Sequence, residues 1–315
     1  MATMAVVLAR RSQRLVCLHT ASTWMFRRRA STFATPTHHE YHVANGAVVH
    51  YSTYGPIDAA ASIVLLHGAP GSYADFKHLS PLLAREHLNV VAFDLPGNGR
   101  SSADAVGSKY NLSDQSLAAA IVDALANRSD PNTMFILGHS FGSHTAMRVA
   151  ANAKSVGGIA LLAPVGLRPH HPLRRFPMVL LGRLLQQPHP LRSILAKINQ
   201  LYYIHGLRFP KRVPQDDFTF ALQRIGSCDF EHMKTVVETL HARNLPSFVA
   251  MACDDRLIEP EIIRELGHAL PPGRRIEFQT GGHNIQKSQA REVANGLVQW
   301  IDSILARLSQ HPPST

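Results

Sequence analysis

A mostly parallel α/β sheet, covered by helices on both faces and carrying an inserted, largely helical segment, is the fold class that this 315-residue sequence predicts. Three observations predict it. Apolar runs at residues 62–66, 89–94, 134–137 and 158–163 alternate with stretches that read as helices, which is the pattern of repeated crossovers between parallel strands. The run at 134–137 passes at once into Gly138-His139-Ser140-Phe141-Gly142 and then into a helix rich in small residues. Residues 166–243 drop the alternation and are punctuated by Pro169, Pro172, Pro177, Pro188, Pro190, Pro210 and Pro214.

Taken in order, residues 40–54 alternate around Asn45-Gly46, a dipeptide that tolerates the positive φ of a tight hairpin, so an antiparallel pair opens the folded region. The strand at 62–66 runs into His67-Gly68-Ala69-Pro70-Gly71-Ser72, a loop whose small residues let backbone N–H groups approach a ligand. Taken alone, that loop reads equally as a plain turn. Residues 73–85 read as a helix, 89–94 as a strand, and 113–127 as a helix capped by Ser113 or Asn111. Beyond the insertion come a strand at 248–253, another at 275–280 and a final helix from about residue 286 to 308. Within the insertion, Leu191, Ile194, Leu195, Ile198 and Leu201 recur at helical spacing and predict one amphipathic helix.

The pentapeptide carries the chemistry. A strand that reverses into a helix within a few residues strains its central residue, and side chains two positions either side would collide unless they were glycine. Gly138 and Gly142 give Ser140 that clearance. A serine hydroxyl needs an imidazole to take its proton and a carboxylate to orient the imidazole. Among 19 histidines, His283 follows a strand and Gly281-Gly282 and precedes the last helix. For the acid, the strand at 248–253 ends in Asp254-Asp255-Arg256-Leu257-Ile258-Glu259-Pro260, which offers two adjacent carboxylates, Asp254 and Asp255.

These pieces together, HGAPGS at 67–72, DLPGNGRSS at 94–102, GHSFG at 138–142, ACDDRLIEP at 252–260 and GGH at 281–283, resemble the α/β-hydrolase family in content and order. The resemblance covers residues 40–165 and 244–308 as the two parts of a core, and it implies that 166–243 is a cap over the site. It implies Ser140, Asp255 and His283 as catalytic triad, and the backbone N–H groups of Ala69 and Phe141, beside Gly68, as oxyanion donors. It also implies no metal or organic cofactor. Relatives that open epoxides or displace halide carry aspartate at the elbow, so Ser140 points elsewhere. An ester or thioester of a small-molecule or lipid-like acyl group is the expected substrate. Amide or carbon–carbon hydrolysis on the same triad, and a non-catalytic ligand-binding protein, are the alternatives.

Composition bounds the rest. Apolar residues make up 45% and charged residues 17%, as in an ordinary folded protein. Three cysteines, without metal-type spacing, indicate neither a disulfide framework nor a zinc site. The net charge of +10 falls to +4 once residues 1–39 are set aside, because that stretch holds six arginines and no acid. Its Arg, Ser and Thr content is that of a mitochondrial transit peptide, and its apolar Met4 to Ala9 precedes Arg10 and Arg11, opposite to a secretory signal. A mitochondrial location is therefore expected, with a cytoplasmic one as alternative, and residues 309–315 read as a disordered tail. Residues 166–227 hold ten basic residues against Asp216 and Asp217. This cap is read as a solvated face, as steering for an anionic substrate, or as a peripheral contact with an anionic membrane. No nucleic-acid motif appears. The oligomeric state is not legible.

Overall fold

Eight strands build one sheet in the order β1-β2-β4-β3-β5-β6-β7-β8. A hairpin of β1 (Thr37–His42) and β2 (Val48–Tyr54) turns at Asn45 and Gly46, the latter at φ 80°. Both hairpin pairings, β1 with β2 and β2 with β4, are antiparallel. The other six strands run parallel: β3 (Ala61–Leu66), β4 (Leu88–Phe93), β5 (Thr133–His139), β6 (Val156–Leu162), β7 (Ser247–Ala252) and β8 (Gly273–Phe278). The computed structural model describes residues 35–128, 133–175 and 177–310. Residues 1–34 of the expected leader and 311–315 of the expected tail lie outside them. The hairpin nevertheless starts at Thr37, inside the stretch assigned to the leader.

Strands β3 and β4 are buried along their whole length, which is why they read as unbroken apolar runs rather than alternating ones. Their side chains still divide by parity between two cores. Val64 and Leu66 face a layer that includes α2 (Asp114–Ala126), α3 (Gly142–Asn152) and α9 (Pro260–Ala269). Ile63 and Leu65 face α1 (Ser80–Leu83) and α11 (Ala290–Gln310), where Trp300 sits edge-on to Phe135 with ring centroids 5.4 Å apart. Each fully buried leucine of this kind contributes roughly 1.5–3 kcal/mol.

Two helices differ from expectation. Residues 73–85 form a 3₁₀ turn, Tyr73–Phe76, and the short α1 instead of one helix. Pro81 lacks the N–H that a helix interior needs, so it is tolerated only in a first turn, and a helix through it must start at Ser80. The last helix is broken at Gln289 into α10 (Ile285–Ser288) and α11. Ser113, rather than Asn111, caps α2 by accepting from the Ser116 N–H.

Between β6 and β7 lie α4 (His171–Arg175), α5 (Met178–Leu185), α6 (Arg192–Leu201), a π turn at Tyr202–Gly206, α7 (Gln215–Gly226) and α8 (Phe230–Ala242). Helices α5, α6 and α7 pack on one another, whereas α8 packs on α3 in the core layer. Helix α6 forms as expected, but its apolar stripe faces outward, with Leu191, Ile194, Ile198 and Leu201 between 45% and 55% exposed. Among the described residues no helix is long and apolar enough to cross a membrane.

Candidate active site

The chain leaves β3 toward β4 on one side and returns to β5 on the other, so the strand order reverses between β3 and β5. In open α/β sheets the crevice beyond the carboxyl ends of such strands is where ligands bind. The loop at 67–72 and the turn at Ser140 both emerge there.

Ser140 has φ 54°, a left-handed conformation rare outside glycine, and its N–H donates to the Leu162 carbonyl at 3.1 Å. The turn survives because its flanks carry no side chain. A Cβ on Gly138 would lie 2.5 Å from the Gly142 carbonyl oxygen, and one on Gly142 would lie 2.4 Å from the carbonyl oxygens of Leu66 and His67. Gly68 is close too, since its Cβ would meet that of Ser140 at 3.1 Å.

The loop after β8 brings His283 to the serine. With the Nδ1 proton donated to Asp255 Oδ2 at 2.8 Å, Nε2 presents its lone pair to the Ser140 hydroxyl, also at 2.8 Å. Asp255 Oδ1 accepts from the N–H groups of Leu257 at 2.8 Å and Ile258 at 3.1 Å, which fixes the carboxylate in the turn. Asp254 is exposed and does something else. It accepts the Gly282 N–H at 2.7 Å, a bond that holds its carboxyl below the usual range and pins the histidine loop.

The three expected side chains are thus within hydrogen-bonding distance in series. Ala69 and Phe141 line the same cavity as Ser140, and among the described residues neither backbone N–H makes a hydrogen bond. Two unused donors beside a serine oxygen can receive an oxyanion. The neighbouring histidines have structural partners. His67 accepts from the Leu95 N–H at 2.9 Å and donates to the Gly68 carbonyl at 2.7 Å. His139 donates to the His283 carbonyl at 3.1 Å, and burial, followed by the nearby His283, lowers its pKa to about 3.

Several residues of the site were not singled out by sequence. The cavity, of ≈ 300 Å³, is walled by Leu173, Met178, Tyr203, Phe209, Ile225 and Leu257, most of them from the inserted segment. His170, buried against Phe141 with its pKa lowered to about 4 by burial, adds a neutral imidazole to this wall. Lys287 and Asp75 form an ion pair at 2.7 Å on the cavity's edge; burial works to raise the Asp75 carboxyl, and Lys287 outweighs it. A larger groove of ≈ 800 Å³ runs past Thr133, Val156 and Pro246, at the amino ends of the strands, and holds no member of this constellation.

Beneath the loop lies Arg224, counted above among the cap's cations but fully buried. Its Nη1 donates to the Gly68 carbonyl at 3.1 Å, and its Nη2 lies 3.9 Å from Asp114. Asp114 also accepts from Thr145 at 3.1 Å and faces His144 Nδ1 at 3.7 Å. Nothing in the sequence pattern signals this, because Arg224 falls on the polar side of α7 with Asp217 and Gln223, and only the packing buries the helix from Phe218 to Gly226. Asp114, His144 and Cys228 are close enough to share a cation. The guanidinium beside Asp114 and the bond from His144 Nε2 to the Gly166 carbonyl at 2.9 Å make this a charge-balanced structural network instead.

Comparison with known proteins extends the picture. A family model described as "Alpha/beta hydrolase family" matches residues 63–295. A 2-hydroxy-6-oxononadienedioate/2-hydroxy-6-oxononatrienedioate hydrolase of Pseudomonas putida is 30% identical over 146 residues, 44% of this chain and about half (49%) of that protein. Among solved structures, a haloalkane dehalogenase from Bradyrhizobium elkani superposes with a TM-score of 0.66 at 18% identity, covering 87% of this chain and 100% of that one. An esterase from Exiguobacterium antarcticum gives 0.62 at 15% identity, covering 84% and 98%. At such identities the structural likeness speaks for the fold alone.

Proposed function

The chain belongs to the alpha/beta hydrolase family, and from that premise we propose that it is a serine hydrolase cleaving an ester or thioester of a small-molecule or lipid-like acyl group. The observation that carries this reading is the pair of 2.8 Å contacts linking Ser140, His283 and Asp255. The Ser140 oxygen attacks the carbonyl carbon as its proton passes to His283 Nε2, and the imidazolium is stabilised by Asp255. The Ala69 and Phe141 N–H groups bind the oxyanion. Collapse expels the alcohol or thiol, which takes the proton from Nε2, and leaves acyl-Ser140. A water then attacks the acyl carbon as its proton passes to Nε2, the bond to the Ser140 oxygen breaks, and Nε2 returns the proton to that oxygen, releasing the acid. Serine at the elbow favours this route over the carboxylate chemistry of epoxide opening or dehalogenation, and the apolar cavity wall suits an acyl chain.

A fluorophosphonate probe should label the protein at Ser140, and Ser140→Ala should lose aryl-ester hydrolysis by ~10³-fold or more. A non-catalytic ligand-binding protein would leave the probe unreacted. A drop of less than tenfold in Ser140→Ala would overturn the assignment.

A further inference from the structure

Helices α5 and α6 pack side by side, and each carries large apolar residues on its outward side as well as on the side it buries. Leu191 at the start of α6 and its Ser193, Ile194, Lys197, Ile198 and Leu201 face outward, while its buried positions are Ala196 and Asn199. On α5 the outward residues are Leu180, Arg183 and Leu184. Of the eight large apolar side chains exposed among the described residues, five lie on these two helices and a sixth, Leu191, at the start of α6.

Charge identifies what could cover them. Residues 177–215 contain six basic residues and no acidic one. Of the cap's other cations with described side chains, Arg168 is paired with Glu265, Arg174 with Glu259, and Arg224 is buried beside Asp114. Those left outward therefore cluster on the acid-free stretch, Arg183 and Lys197 among the apolar residues and Arg208, Lys211 and Arg212 just beyond. An apolar helix face interleaved with cations and free of acids has the composition of a helix that lies in a lipid headgroup layer. The face also continues into the cavity, because Tyr202, Leu207 and Phe209 line it immediately after Leu201, with exposed Arg208 between the last two.

We infer that the outward faces of α5 and α6 dock on an anionic lipid surface and set the mouth of the cavity against it. Docking needs no catalysis, so it is tested in Ser140→Ala as well as in the wild-type chain. Because the leader is itself basic, the measurement uses the full chain with Arg10, Arg11, Arg14, Arg27, Arg28 and Arg29 changed to glutamine. In flotation assays this protein should partition onto vesicles of equal parts phosphatidylcholine and phosphatidylserine, and much less onto phosphatidylcholine alone. Each juxtamembrane cation is worth about fivefold, so Arg183→Gln with Lys197→Gln should weaken partitioning about 25-fold. Ile194→Ser with Ile198→Ser should abolish it, and Ile198→Trp should show blue-shifted emission on anionic vesicles only. Equal binding by the Ile194→Ser, Ile198→Ser variant, or an unshifted Ile198→Trp, would overturn the inference. So would a dimer in sedimentation that Ile194→Ser dissociates, without vesicle binding, since a second copy would then own the face.

Discussion

Asp254 and Asp255 are adjacent carboxylates with opposite surroundings. Asp255 is 8% exposed and accepts from His283 and two backbone N–H groups, whereas Asp254 faces solvent and accepts from the loop's Gly282 N–H. Asp255→Asn should therefore lower kcat by ~10³–10⁴-fold through loss of the imidazole's orientation, while Asp254→Asn should cost less than tenfold. Steady-state kinetics on one ester decides between them, and the reverse ranking would move the acid by one residue. The buried histidines make a separate prediction about pH. His139 and His170 have folded pKa values of about 3 and about 4, against about 6.5 in an unfolded chain. Since the unfolded chain takes up these protons first, stability is complete above about pH 6.5 and declines as pH falls toward 4. At 1.36 kcal/mol per pKa unit, His170 alone should account for roughly 3 kcal/mol of that decline. Urea midpoints measured across this window should fall, and His170→Leu should flatten the slope; an unchanged slope would mean that His170 is hydrated and charged in the folded protein.

At the scale of elements, a buried cation joins the inserted segment to the core beneath the active-site loop. Arg224 of α7 reaches the carbonyl of Gly68 in the loop after β3, and its counter-charge, Asp114, begins α2. Removing one partner of a buried pair leaves the other uncompensated, which costs about 3–5 kcal/mol. Arg224→Met should show that loss in urea unfolding, and adding Asp114→Asn should recover a large part of it. If the double variant is no better than the single one, the bond to Gly68, and not charge balance, is what Arg224 supplies. The same element shows what periodicity leaves out. The spacing of Leu191, Ile194, Ile198 and Leu201 specifies that α6 has an apolar face, yet nothing in that spacing says whether the face meets a core or the outside.

For the whole molecule, the first described strand starts at Thr37, and the six arginines of the basic leader all precede it in the sequence. A fusion of residues 1–39 to a fluorescent reporter is expected to enter mitochondria and be shortened near residues 29–35, with the six arginines changed to glutamine abolishing entry. A reporter that stays diffuse in the cytosol would remove the mitochondrial location.

The strand–helix alternation and the elbow glycines are legible in the chain because each is enforced locally, whereas Asp255 and His283 are read through their resemblance to family motifs. A buried parallel strand must be apolar on both faces, and a strained turn must lack neighbouring Cβ atoms. The helix expected at residues 73–85 is broken by a local restriction, that of Pro81 to a helix's first turn. Other features are decided only when distant segments meet. Whether Arg224 is a surface charge or a buried strut depends on Asp114, 110 positions away, and the cavity wall draws on α5, the π turn and α7 together. The outward face of α6 belongs with these. Sequence fixes which side chains a helix carries on one side, whereas the direction of that side is settled by the packing of α5, α6 and α7 on one another, through contacts that have no counterpart in local spacing.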